Sequence, residues 1–247
     1  PKEQPHWRRP AVDPVISFLR TRGVRIHGHP LVWGNNSWHT PTWLWDDFCP
    51  QSEKIALQRT AQIAIPVRDV TKSICTKNMK GNWGRTWEQV YKRLSEEEIA
   101  ALVPTYLKAI DAFYERRIRA IAERYSDRVD SWDVVNESAT DFAKLGRKAV
   151  RGKIFDKSHY GPMPADYALK AFTWARKYLP KTSLLNINEY NMNPYLDQIN
   201  DLIQHGARID VIGSQMHLFN PAESVKISRG KFSREAYKKA HPEGIRI

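Results

Sequence analysis

Helical and extended segments alternate four times along this chain, and that alternation constrains its fold more than any other feature. Asp13 to Arg22 carries Val15, Ile16, Phe18 and Leu19 on one helical face, and Val24 to Val32 then runs extended into Trp33. Ser95 with Glu98 forms a capping box. From there Ile99, Leu102, Val103, Tyr106, Leu107, Ile110, Phe113, Tyr114, Ile118 and Ile121 keep helical period down to Tyr125, and a strand over Val129 to Asn136 follows. Pro164 opens a third helix, at a position where a missing N–H costs nothing. Its inner face is Tyr167, Ala168, Ala171, Phe172, Ala175 and Tyr178, and a strand from Ser183 to Asn188 comes next. Pro194 to His205 leads in the same way to Ile209 to Gly213. Such units in series predict a parallel sheet covered by helices. Polar residues gathered at the C-terminal strand ends favour a (β/α)8 TIM barrel.

The strand ends read Gly28-His29-Pro30-Leu31-Val32-Trp33, then Asn136-Glu137, then Asn188-Glu189-Tyr190-Asn191, then Gln215-Met216-His217. Amides, imidazoles, an indole and carboxylates converging on one rim suit a neutral polyhydroxylated ligand, which needs many hydrogen bonds and a few flat apolar faces. The most telling end is that of Ser131-Trp132-Asp133-Val134-Val135-Asn136-Glu137. Val134 and Val135 mark a strand buried on both faces, and nothing apolar demands an Asn-Glu pair after it. An amide beside a carboxylate can hold a sugar hydroxyl and protonate a glycosidic oxygen, which is general-acid work.

In these residues the chain resembles the retaining endo-β-1,4-xylanases of glycoside hydrolase family 10, a family of (β/α)8 barrels. The family's third strand reads Gly-His-Thr-Leu-Val-Trp-His, its fourth Trp-Asp-Val-Val-Asn-Glu, its fifth Asn-Asp-Tyr-Asn and its sixth Gly-x-Gln-x-His. This chain has His29 to Trp33, Trp132 to Glu137, Asn188 to Asn191, and Gly213-Ser214-Gln215-Met216-His217, in the same order over nearly its whole length. The resemblance implies that Glu137 is the acid/base of a retaining endo-glycosidase acting on xylan or xylo-oligosaccharides. It implies that His29, Trp33, Asn136 and Gln215 bind sugar on the non-reducing side of the cleaved bond. Tyr190 and Asn191 would meet the leaving-group side, and His217 would orient the nucleophile. No cofactor and no metal are implied. A secreted, periplasmic or cell-surface location is implied as well.

Three departures mark this chain. Pro30 and Gly34 stand where the family has Thr and His, and Glu189 stands where it has Asp. A retaining mechanism also needs a second carboxylate about 5 to 5.5 Å from the first, which the family carries at the end of its seventh strand. This chain stops at Ile245-Arg246-Ile247, which reads as the start of that strand. The nucleophile is therefore expected beyond residue 247. The first recognisable strand matches the family's third, so residues 1–247 are expected to be a catalytic barrel incomplete at both ends, running from the third strand to the start of the seventh. Among the carboxylates present, Glu243 would sit at the wrong end of the barrel. Glu189 lies one strand from Glu137, about 4.8 Å in a parallel sheet, and fits a supporting role better than attack. Two alternatives stay open: a non-hydrolytic carbohydrate-binding relative lacking the nucleophile, and a barrel enzyme cleaving a β-1,4-glucan.

Between Gly34 and Lys92 no repeat is evident. Trp38, Trp43 and Trp45 follow a substrate-side strand and either wall the cleft or pack, and Trp83 and Trp87 lie further on. Cys49 and Cys75 match no metal-site spacing and are either one disulfide or two buried thiols. The net charge of +12 is high for a glycosidase. Its clusters are Arg147, Lys148, Arg151, Lys153 and Lys157, then Lys226, Arg229, Lys231, Arg234, Lys238 and Lys239. No interleaved aromatics or nucleic-acid module accompany them, so no nucleic-acid partner is expected. They read as solvated faces or as an attraction for uronic-acid groups on a plant polysaccharide. No apolar run approaches the roughly 20 residues of a membrane span. Oligomeric state is not legible in the sequence.

Overall fold

The computed structural model describes residues 12–34, 43–66, 87–91, 94, 96–139, 166–190 and 194–215. Its centre is a parallel sheet. The first strand comes in two pieces, β1 (His27–Gly28) and β2 (Val32–Trp33), both paired with β5 (Ser131–Asn136). Next to β5 lie β6 (Leu184–Glu189) and then β7 (Val211–Ser214), so that the strands of this sheet lie side by side in their order along the chain, as in a barrel wall. Pro30 explains the break in the first strand. It has no N–H to give the ladder, and the Leu31 N–H to the Asp133 carbonyl, at 2.8 Å, resumes it. Gly28 is required where it is. A Cβ there would lie 2.2 Å from the Trp132 ring.

The helix expected from Ser95 to Tyr125 is two: α4 (Glu96–Leu102) and α5 (Pro104–Tyr125). Proline drives the residue before it out of the helical region and would clash with the carbonyl four residues back. Val103 accordingly sits at φ −130°, ψ 49°. Pro104 then starts α5, and the open N–H groups of Thr105 and Tyr106 are taken by the Glu53 carboxylate at 2.8 and 3.0 Å. Tyr106, Ile110, Tyr114, Ile118, Ile121 and Tyr125 form its buried stripe. Helix α6 (Tyr167–Tyr178) packs beside it, with Lys170 on Asp111 at 2.6 Å and both Lys177 and Tyr178 on Glu115. Ser95 and Pro164 lie outside the described residues.

Helix α7 (Tyr195–Gln204) ends in a Schellman motif. Gly206, at φ 88°, donates to Ile203, and Ala207 donates to Leu202. Helix α1 (Asp13–Arg20) closes the same way through Gly23 at φ 70°. The face expected for α1 is only partly buried. Ile16 is inside, whereas Val15 and Phe18 are 60% and 54% exposed. Ion pairs from Asp13 to Arg124 and Arg128, and from Arg20 to Asp130, hold this helix in place of a full apolar contact.

The segment after Gly34 has structure of its own: α2 (Trp43–Phe48), α3 (Gln51–Ala61), and an antiparallel pair, β3 (Gln62–Pro66) with β4 (Trp87–Tyr91). Trp45 packs on Tyr106 of α5, ring centroids 4.9 Å apart, which is a packing role. Trp38, Trp83, Cys75 and the side chains of Trp43 and Trp87 lie outside the described residues. Cys49 is a buried thiol, pushed up to about 12 by burial. No described helix is long and apolar enough to cross a membrane.

Candidate active site

The site begins with an irregularity in β5. Asp133 pairs with Asn186 across the ladder, and Val135 pairs with Ile187, so Val134 is one residue too many. In a regular strand Asp133 and Asn136, three apart, would point to opposite faces. The bulge turns both to the same face. There the Asn186 amide donates to Asp133, and the Asn188 amide donates to Asn136 at 2.8 Å. On β7 only a glycine leaves room for this row. A Cβ on Gly213 would come within 2.8 Å of the Asn188 amide oxygen and 2.9 Å of the Asn186 amide nitrogen.

Gln215 ties the row to Glu137. Its Nε2 donates to Asn136 Oδ1 at 3.0 Å and to Glu137 Oε1 at 2.9 Å. Asn136 Oδ1 therefore accepts two donors, which fixes the amide's orientation. Its Nδ2 is buried with no partner among the described residues, a donor awaiting an acceptor such as a hydroxyl. Glu137 is the one described non-glycine residue at positive φ, 57°. That conformation costs of order 1 kcal/mol and survives where surroundings impose it. Here the Glu137 N–H is held by the Asn188 carbonyl at 2.8 Å and the carboxylate by Gln215.

Trp33 lies level with Asn136, its register partner on β5, and the His29 ring meets the Trp33 ring edge-on with centroids 5.9 Å apart. His29 Nδ1 is 2.6 Å from Asp133 Oδ2, and His27 Nε2 is 3.2 Å from the same oxygen. Burial works to raise the Asp133 carboxyl. The hydrogen bonds from His27 and His29 overcome it and hold the group below the usual carboxylate range. Tyr190 follows β6 and is 47% exposed at the rim.

Behind the rim lies Glu189, fully buried. Its Oε2 accepts the Ala139 N–H at 2.8 Å and its Oε1 the Tyr190 N–H at 2.9 Å. A carboxylate so engaged and out of contact with solvent braces two loops. Gln198 of α7 holds Ser138 at 2.8 Å, and the Tyr195 hydroxyl sits 2.7 and 2.8 Å from the Ile187 and Gly213 carbonyls.

Of the residues singled out from sequence, Trp33, Asn136, Glu137, Tyr190 and Gln215 thus stand at the C-terminal ends of neighbouring strands, and His29 in the break of the first strand. Asn191, His217, Glu243 and both basic clusters lie outside the described residues. Sequence reasoning missed Asp133, Asn186 and His27. Asp133 carried a legible signal, since a charge in the middle of a doubly buried strand needs a partner.

Known proteins share sequence and fold with this chain. The model of glycosyl hydrolase family 10 matches residues 86–238. An endo-1,4-β-xylanase A of Halalkalibacterium halodurans is 32% identical over 234 residues, spanning 92% of this chain and 46% of the relative. An endo-1,4-β-xylanase C of Paenibacillus barcinonensis is 33% identical over 235 residues, spanning 91% of this chain and 17% of the relative. The chain thus covers about half, or less, of the length of these relatives. Among solved structures, xylanase B from Clostridium stercorarium F9 superposes with a TM-score of 0.51 at 22% identity, over 90% of this chain and 54% of that one. An endo-1,4-β-xylanase from Caldicellulosiruptor owensensis gives 0.51 at 22% identity, over 92% and 52%. At that identity the likeness concerns the fold.

Proposed function

Since the chain belongs to glycosyl hydrolase family 10, a family of (β/α)8 barrels, we propose that its site hydrolyses internal β-1,4-xylosidic bonds of xylan with retention, Glu137 serving as acid/base. The observation that carries this reading is the bond from Gln215 Nε2 to both Asn136 and Glu137. It holds Glu137 Oε1 at the strand end beside the Asn136 amide. In the first step Glu137 gives its proton to the leaving oxygen while a second carboxylate attacks the anomeric carbon. In the second, Glu137 takes a proton from water, which releases the sugar with its original configuration. Glu189 is buried and engaged by the Ala139 and Tyr190 N–H groups, so the attacking carboxylate comes from outside the described residues. Asn136 Nδ2, His29 and Trp33 hold the sugar ring before the cleaved bond, and Tyr190 and Asn191 the ring after it. His217 sets the orientation of the nucleophile. A polymeric substrate is met outside the cell, so we infer export.

The test is Glu137→Gln. Cleavage of xylan should fall by about 10²–10⁴ in kcat/KM, whereas an aryl xyloside with a good leaving group, which needs little protonation, should lose far less. Equal losses on both substrates would overturn the acid/base role. NMR of fresh products should show the β-anomer first, and initial α-anomer would overturn retention. Binding of xylo-oligosaccharides by the wild-type protein without cleavage would favour a carbohydrate-binding relative.

A further inference from the structure

His27 belongs to no part of the proposed site, yet it shares an atom with it. Oδ2 of the buried Asp133 lies 2.6 Å from His29 Nδ1 and 3.2 Å from His27 Nε2, while Oδ1 takes the Asn186 amide. A carboxylate held below its ordinary range by two imidazole N–H groups is ionised near neutral pH and accepts only. Both ring nitrogens facing it must therefore carry hydrogen. The tautomers follow. Neutral His29 has its proton on Nδ1 and its lone pair on Nε2. Neutral His27 has its proton on Nε2, and its Nδ1 accepts from the Ser131 hydroxyl 2.8 Å away. One oxygen thus fixes two imidazoles in opposite tautomers.

We propose that His27 is a positioning residue which, by sharing Asp133 Oδ2, keeps His29 neutral and its Nε2 an acceptor for a sugar hydroxyl. The inference rests on the reading of His29 as a sugar-binding residue. One carboxylate cannot satisfy two imidazolium ions side by side, because the second proton meets the charge of the first. A donated N–H from His27 also draws off part of the negative charge that would stabilise a charged His29. Other charges near the pair, among the described residues, do not replace this device. Asp130 is turned to the Ile26 N–H at 2.7 Å and to Arg20. Arg117 of α5 bonds the Leu31 carbonyl at 3.2 Å. Asn186, on the far side, is uncharged. His27 and His29 are both about half exposed, so protons reach them freely.

The experiment reads the histidine side chains directly by long-range ¹H–¹⁵N NMR across a pH series, with no substrate present. In the wild-type protein His29 should appear as the Nδ1–H tautomer and His27 as the Nε2–H tautomer. His27→Phe keeps a ring and removes the donor. The His29 titration midpoint should then rise by roughly half to one pH unit, a change of about three- to tenfold in its protonation constant. His27→Gln, whose amide nitrogen can stand in the place of Nε2, should restore most of the wild-type midpoint. A second arm measures xylo-oligosaccharide affinity against pH, whose acid limb should move upward with the His29 midpoint in His27→Phe and return in His27→Gln. An unmoved His29 midpoint in His27→Phe, or an Nε2–H tautomer for wild-type His29, overturns the proposal. A shifted midpoint without any sugar binding by the wild-type protein leaves the His27 network standing and overturns the reading of the site instead.

Discussion

Replacing Glu189 by glutamine tests whether a buried carboxylate braces the site. The wild-type side chain has no exposed surface and takes one backbone N–H on each oxygen, Ala139 at 2.8 Å and Tyr190 at 2.9 Å. Glutamine has the same shape but one acceptor. Whichever N–H then faces the amide nitrogen is left buried and unsatisfied, at about 1–3 kcal/mol, and the surviving bond falls from charge-assisted to neutral strength, roughly another 1 kcal/mol. The amide is cheaper to bury than the carboxylate, which returns part of this. A net loss of about 2 kcal/mol corresponds to a melting temperature lower by roughly 4–8 °C in a domain of this size. The assay is thermal denaturation followed by near-ultraviolet circular dichroism. Glu189→Leu, which removes both acceptors, should lose more than Glu189→Gln. A Glu189→Gln protein melting within about 1 °C of wild type would refute the argument, since the two N–H groups would then have found other partners.

Gly213→Ala should cost about 1–3 kcal/mol and weaken xylo-oligosaccharide binding, because the added Cβ would displace the amides of Asn186 and Asn188; urea midpoints and titration calorimetry read both effects, and unchanged binding would contradict the placement of that row. Asp133 contributes acid sensitivity. Its folded carboxyl lies below the unfolded value of about 3.9, so its stabilisation is fully present above that pH and is lost as pH falls through the lower folded value. Asp133→Asn should therefore flatten the decline of unfolding free energy below about pH 4, as followed by urea titrations; an unchanged slope would remove Asp133 from that account. With its thiol pushed up to about 12 by burial, Cys49 in a Cys75→Ser protein should resist an aromatic disulfide reagent at pH 8 until denaturant is added, and prompt labelling of native protein would show the site to be open.

What the sequence made legible was whatever local pattern controls. The stripe of α5, the buried valines of β5 and the polar strand ends could be read because period and composition report directly on burial and position. The split at Val103 was also written in the chain, since Pro104 forbids a continuous helix, and the long apolar period masked it. Pairing across strands was less accessible. Asp133 with Asn186, and Asn136 with Asn188, depend on register, and register depends on where one residue is left over; nothing in two adjacent valines says which of them will be passed by. The exposed Val15 and Phe18 had the same cause, because helical spacing marks an apolar face without saying how much sheet lies beneath it.

The surplus residue at Val134 also sets a condition for transplanting this chemistry. Grafting the stretch from Trp132 to Glu137 onto another parallel strand would carry over every side chain and still misplace half of them if the host ladder runs without a break. Asp133 would then face the barrel interior and Asn136 the helices, or the reverse. A working graft needs a host whose neighbouring strand tolerates the skipped pairing, or a deliberate change in the number of residues between anchor and acid. Backbone irregularity belongs on the parts list for such a design, beside the catalytic side chains.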